Sequence, residues 1–187
     1  TVEHRDSLGN QGSIGVGDVQ WMTAGSGIIH QEMPQPAREN LRGFQLWVNM
    51  PAATKMSEPR YRDIASAAIP SVSPRDGVDI KVIAGEVAGV RGPVTDGAAQ
   101  PEYADVSLAP GAEIEHPTED ERTVFAYVVS GSGTVGTDLK HELSSGQLAL
   151  FGAGPSVRAI LELASVPCTP SGAWAATSSA IASARAS

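Results

Sequence analysis

The chain has 187 residues, enough for one sizeable domain or two small ones with a core that needs no disulfide support. Its single cysteine, Cys168, excludes an internal disulfide framework, and its formal net charge of −8 opposes attachment to phosphate backbones, which argues against direct nucleic-acid binding. No run of about 18 apolar residues occurs, and Thr1 to Asp6 lacks the layout of a signal peptide, so the chain reads as a cytoplasmic protein with no membrane association.

In chain order, Gly and Pro punctuate the first 160 or so residues at short intervals, with β-branched and apolar runs between them, the pattern of many short strands. Strands are predicted at Gly12 to Ile14, Val19 to Met22, Ile28 to Met33 and Phe44 to Asn49, then at Val78 to Ala84, Glu102 to Leu108, Thr123 to Ser130, Thr134 to Val135, Gln147 to Phe151 and Val157 to Leu163. Turns are predicted at Asp6 to Asn10, Pro110-Gly111, Gly131 to Gly133 and Ser144 to Gly146. The spacing favours an antiparallel sandwich or barrel. Between the strand clusters, Pro51 to Pro74 lacks alternation and holds four prolines, so it reads as a linker (51–74) between a first unit (1–50) and a second (75–164). From Cys168 onward the composition turns to Ala, Ser and Thr, and the segment 165–187 is predicted to be a disordered tail or a frayed helix over Trp174 to Ala184.

The chemistry concentrates at the end of Gly17 to Pro34. In an extended Ile28 to Met33, side chains two apart leave the same face, so His30 and Glu32 project together as an imidazole and a carboxylate suited to a first-row metal such as iron(II). Polar residues alternate on solvated strands by default, and the pair taken alone reads first as a surface feature. His4 before a predicted turn, and His116 and His141 in the second unit, read as solvated residues; His116 sits in the acidic run Glu115 to Glu121, and such a run is usually a solvated face. Trp21, Trp47 and Phe44 suit either a core or an aromatic-binding pocket, and Gly25 and Gly27 read as architectural. No phosphate-binding loop, G-x-S-x-G or C-x-x-C is present, which removes nucleotide-loop, serine-hydrolase and dithiol chemistry.

These residues resemble the pirin family. Its D-x-Q-W-M-T-A-G-x-G-I-x-H-x-E-M-P segment is matched by Asp18 to Pro34, its G-L-Q-L-W-V-N-L-P by Gly43 to Pro51, and its K-M-x-x-P-x-Y by Lys55, Met56, Pro59 and Tyr61. The resemblance covers about residues 1 to 164. It implies an all-β bicupin of two jelly-roll domains, with one mononuclear Fe(II) in the first, bound by a His-x-His pair, a later His and a Glu. The last two match His30 and Glu32. The His-x-His pair lies in an H-P-H-R-G segment before the turn matched by Glu3 to Gly9, so the resemblance implies an incomplete first domain, a fragment whose end after Ala164 also departs from the family. It further implies a quercetin 2,3-dioxygenase, an oxidoreductase acting on a flavonol-like small molecule with Glu32 as base, inactive in this chain. The alternative it implies is an iron-dependent regulatory module that binds a protein partner.

Overall fold

A computed structural model describes residues 1–36, 43–95, 98–136, 139–161 and 178–185. The chain divides into two compact units, the first principally Thr1–Ile69 and the second Pro70–Thr95 with Gln100–Ala186. Both are built of strands, and among the described residues the only helical pieces are the 3-10 turns Ala52–Thr54 and Ser66–Ala68.

The first unit contains β1 (Val2–Asp6), β2 (Gln11–Ile14), β3 (Val19–Thr23), β4 (His30–Pro34) and β5 (Arg60–Ile64). They form a three-stranded antiparallel sheet in the order β2-β1-β4 and a two-stranded sheet β3-β5. Strand β5 lies inside the segment predicted as a linker, and it is paired along its length with β3, from Val19 opposite Ile64 to Thr23 opposite Arg60. The linker reading missed it because Arg60, Tyr61, Arg62 and Asp63 leave Ile64 as its one buried residue, so no apolar alternation marks the strand. Strand β1 escaped for the same reason, since its one buried residue is His4. Phe44 to Asn49, predicted as a strand, has no regular secondary structure, and both Phe44 and Trp47 are exposed.

The second unit contains β6 (Ser71–Arg75), β7 (Val78–Ala84), β8 (Glu86–Val87), β9 (Val90–Arg91), β10 (Glu102–Leu108), β11 (Glu113–Pro117), β12 (Arg122–Val128), β13 (Ser132–Val135), β14 (His141–Ser144), β15 (Leu148–Phe151), β16 (Ser156–Leu161) and β17 (Ser178–Arg185). A six-stranded sheet runs β15-β12-β17-β10-β7-β6, a four-stranded sheet β11-β16-β13-β14, and β8-β9 form a small ribbon. The core gathers Val78, Ile80, Val82, Val106, Leu108, Val124 and Ala126 from the larger sheet with Ile114 and Val157 from the smaller, so apolar burial holds the two layers together. In β7 the burial alternates over Val78 to Ile80 to Val82, the period of a half-buried strand. The Pro110-Gly111 turn between β10 and β11 places Gly111 at φ +81°, a left-handed conformation open to glycine at no steric cost.

The tail prediction is corrected in part. Ser178–Arg185 is a strand paired antiparallel with both β10 and β12. Ser and Ala have low strand propensity, but a central position offers ladder bonds on both edges, and tertiary pairing overrides propensity there. The remainder of the predicted tail, including Trp174, lies outside the described residues.

Candidate metal strand and its polar neighbours

The structure puts His30 and Glu32 on one strand, β4, at the edge of the three-stranded sheet, two residues apart and both exposed. Their side chains therefore leave the same face of the strand. The approach to β4 is fixed by a tight turn in which Gly27 N–H donates to the carbonyl of Ala24 (2.9 Å). Ser7 then holds Ile29 twice: its N–H donates to the Ile29 carbonyl at 2.8 Å, and its hydroxyl accepts from the Ile29 N–H at 3.1 Å. Beyond the strand, Gln35 N–H donates to the Thr1 carbonyl at 3.0 Å. Between these ends, β4 pairs with β1 so that Asp6 faces His30 and His4 faces Glu32.

Gly25 is architectural in a specific sense. Its φ is +52°, and a Cβ there would run into the backbone carbonyl of Ser57, which accepts the Ser26 N–H at 2.8 Å. Asp18, which opens the longest motif, clips the β2–β3 turn: its carboxylate accepts the N–H of Gly15 and of Ser66, each at 2.8 Å. The backbone bond from Ser66, then that from Gly15, hold the Asp18 carboxyl below the ordinary aspartate range.

His4, predicted as a solvated residue, is buried instead, at 3% exposure. Its ring nitrogens lie 2.8 Å (Nδ1) and 2.7 Å (Nε2) from the phenol oxygen of Tyr61, and Nε2 is 3.4 Å from Asp63 Oδ1. Tyr61 donates its one proton to Asp63 Oδ1 at 2.6 Å and accepts from Gln20 Nε2 at 2.7 Å. A carboxylate only accepts, and a phenol has a single proton to give, so His4 is the N–H donor to the Tyr61 oxygen. Burial, reinforced by the bond to Asp63, pushes the Tyr61 phenol far above its ordinary pKa, and it stays neutral. Gln20 and Tyr61 were legible within the motifs as residues; nothing in the sequence linked them to His4 or flagged Asp63.

His116 is likewise buried rather than solvated. It follows Ile114 on the inward face of β11 and bonds Glu102 through Nε2 at 3.1 Å. The other Glu102 oxygen lies 3.9 Å from Arg122, whose guanidinium also donates to the Gln100 carbonyl (3.0 Å) and pairs with Glu119 (3.4 Å). The acidic run thus contains one inward histidine because the strand period continues through it. His141, at the start of β14, is exposed.

His30 and Glu32 fit two positions around a first-row divalent ion, but among the described residues no group of three or more His, Cys, Asp or Glu is arranged to hold a metal. Two donors leave most of a coordination shell to water, so these residues do not by themselves make a metal centre.

Residues 1–48 match the family model described as Pirin. The chain is 41% identical over 158 residues to a pirin-like protein of Caulobacter vibrioides, spanning 84% of this chain and 56% of that one. It is 39% identical over 159 residues to human pirin, spanning 84% of this chain and 54% of the relative. Among solved structures, a quercetin 2,3-dioxygenase from Acinetobacter baumannii superposes with a TM-score of 0.76 at 26% identity, covering 98% of this chain and 61% of the other. The chain spans about half the length of the curated relatives it matches.

Proposed function

Because the chain belongs to the pirin family and has its all-β cupin fold, we propose that it carries part of a mononuclear non-haem iron site, with His30 and Glu32 as ligands, and that the protein containing this sequence is a quercetin 2,3-dioxygenase. The observation that carries the reading is the placement of an imidazole and a carboxylate on the same face of one strand, both accessible. When bound, Fe(II) supplies Lewis acidity and a route for electrons between an organic substrate and dioxygen. The chain's own part is to present the two donors and, through Glu32, a carboxylate able to accept the acidic hydroxyl proton of a flavonol. A cytoplasmic location without nucleic-acid or membrane partners is part of the same proposal and rests on the single cysteine and the charge of −8.

The 187-residue polypeptide alone is expected to hold iron weakly and to turn over little or no quercetin, since no third protein donor accompanies the pair among the described residues. Fe(II) titration and flavonol consumption are measured on this polypeptide and on one extended N-terminally through an H-P-H-R-G segment, each with its His30→Ala variant. Tight binding and turnover in the extended form only, both lost with His30→Ala, support the reading. Iron binding that ignores His30→Ala in both forms would sink it. Turnover by the 187-residue chain itself would show that another donor completes the shell. Metal binding without flavonol turnover, together with capture of one defined protein whose binding changes on metal oxidation, would favour the regulatory module.

A further inference from the structure

The three strands β2, β1 and β4 have one buried residue among them, and it is a histidine. The burial of β1 peaks only at His4, β2 is half-exposed, and all five residues of β4 are exposed. Strand β4 consequently has no apolar packing of its own to fix it. Among the described residues, β4 and its ends make backbone bonds to Thr1, to β1 and to Ser7 in the turn after β1. The position of His30 and Glu32 is therefore set by the position of β1.

Strand β1 in turn is held against the β3-β5 sheet at His4. Its imidazole donates to the Tyr61 oxygen, which gives its proton to Asp63 and accepts from Gln20 on its other lone pair, so the ring sits at the end of a fully bonded polar chain. Gln20, Tyr61 and Asp63 lie on one face of β3-β5, where Gln20 pairs with Asp63 across the ladder. On the other side, β2 offers Gly12 directly opposite His4, and a Cβ there would stand 2.6 Å from His4 Nε2 and 2.9 Å from Asp63 Oδ2. Glycine at this position is a condition for seating the ring. Directly opposite residues of an antiparallel pair share a face, so His4 and Glu32 leave the sheet on the same side.

We propose that His4 is a polar anchor, bonded through Tyr61 to Asp63 and Gln20, that docks the strand bearing His30 and Glu32, which makes His4, Tyr61 and Asp63 positioning residues for the candidate metal strand. A hydrogen-bonded anchor fixes direction as well as distance, whereas an apolar contact leaves the strand free to slide and rotate. Its consequence for metal binding rests on the reading of His30 and Glu32 as ligands.

The test uses the 187-residue chain with nickel(II) as probe, followed by calorimetry, in the wild type, Tyr61→Phe, His4→Leu, His4→Gln, Gly12→Ala and His30→Ala. Tyr61→Phe removes only the hydroxyl and is expected to weaken nickel(II) about tenfold, the usual lower range for partners that orient a ligand. His4→Leu, of similar size but with no donor, is expected to weaken nickel(II) by the same factor, and an equal loss in Tyr61→Phe and His4→Leu marks the shared hydrogen bond rather than the packing of the ring. His4→Gln, which keeps a donor, recovers most of the affinity, and Gly12→Ala loses it. Wild-type affinity in both Tyr61→Phe and His4→Leu would overturn the anchor. Should the wild type and His30→Ala bind nickel(II) equally, the ligand reading fails and the anchor is judged without metal, from amide exchange at Gln31 to Met33. Exchange about tenfold faster in Tyr61→Phe than in the wild type upholds it, and equal exchange overturns it.

Discussion

Asp18 shows how a single side chain carries both a motif and a stability term. Its carboxylate is the acceptor for two backbone N–H groups, one local and one from Ser66, 48 residues away in sequence. Because the folded carboxyl has a depressed pKa, its contribution is fully present above the unfolded value, near pH 4, and is lost as pH falls through the folded value. Asp18→Asn is therefore expected to lower the stability of the first unit at neutral pH and to flatten its loss below about pH 4. Urea midpoints between pH 2 and 7 decide this, and parallel curves for the two proteins would refute it. At the same scale, the sequence showed His30 and Glu32 correctly as a pair on one strand face but misjudged His4 and His116. A histidine's burial depends on partners brought by other strands: Tyr61 and Asp63 for the first, Glu102 for the second. None of these is within ten positions of its histidine, so no local pattern signals them.

At the scale of elements, legibility followed the chemistry of the inward face. Strands β7 and β10 were predicted with their observed bounds because Val78, Ile80 and Val82, and Ala104, Val106 and Leu108, alternate with polar neighbours. Strand β1 has His4 as its one buried residue, and β5 has Ile64 alone, with polar Tyr61 and Asp63 on its other face, so the same rule passes over both. The two kinds of strand should respond differently to substitution. Ile80, at 1% exposure in the centre of the second unit's core, is expected to cost about 2–5 kcal/mol as Ile80→Ala. Val16, fully exposed in the β2–β3 turn, is expected to stay within about 0.5 kcal/mol as Val16→Ala. Chemical denaturation of both variants measures the contrast, and a comparable loss in each would contradict the assigned core.

At the scale of the molecule, the two units differ in what holds them. Among the described residues of Thr1–Ile69 the buried apolar side chains are Ile64 and Ile69, joined by the buried imidazole of His4, whereas the second unit has a continuous apolar cluster spanning two sheets. Few buried apolar contacts mean low-energy local opening. Amide exchange is accordingly expected to be at least about tenfold faster in β1 to β5 than in β7, β10 and β12, equivalent to about 1.4 kcal/mol of opening free energy. Uniform protection across both would show that the first unit has support beyond the side chains described. The sequence by itself determined the all-β class, the turns at Asp6 to Asn10 and Pro110-Gly111, apolar strands such as β7 and β10, and the shared strand of His30 and Glu32, because strand period and turn chemistry are local properties of the chain. The predicted Gly131 to Gly133 turn, by contrast, gives way to β13 from Ser132 onward. Only the tertiary structure decided that Arg60–Ile64 and Ser178–Arg185 are strands, that His4 and His116 are buried, and that β4 is positioned through a hydrogen-bonded histidine. Each of those depends on a partner distant in sequence, and the free energy of such pairing has no trace in the residues on either side.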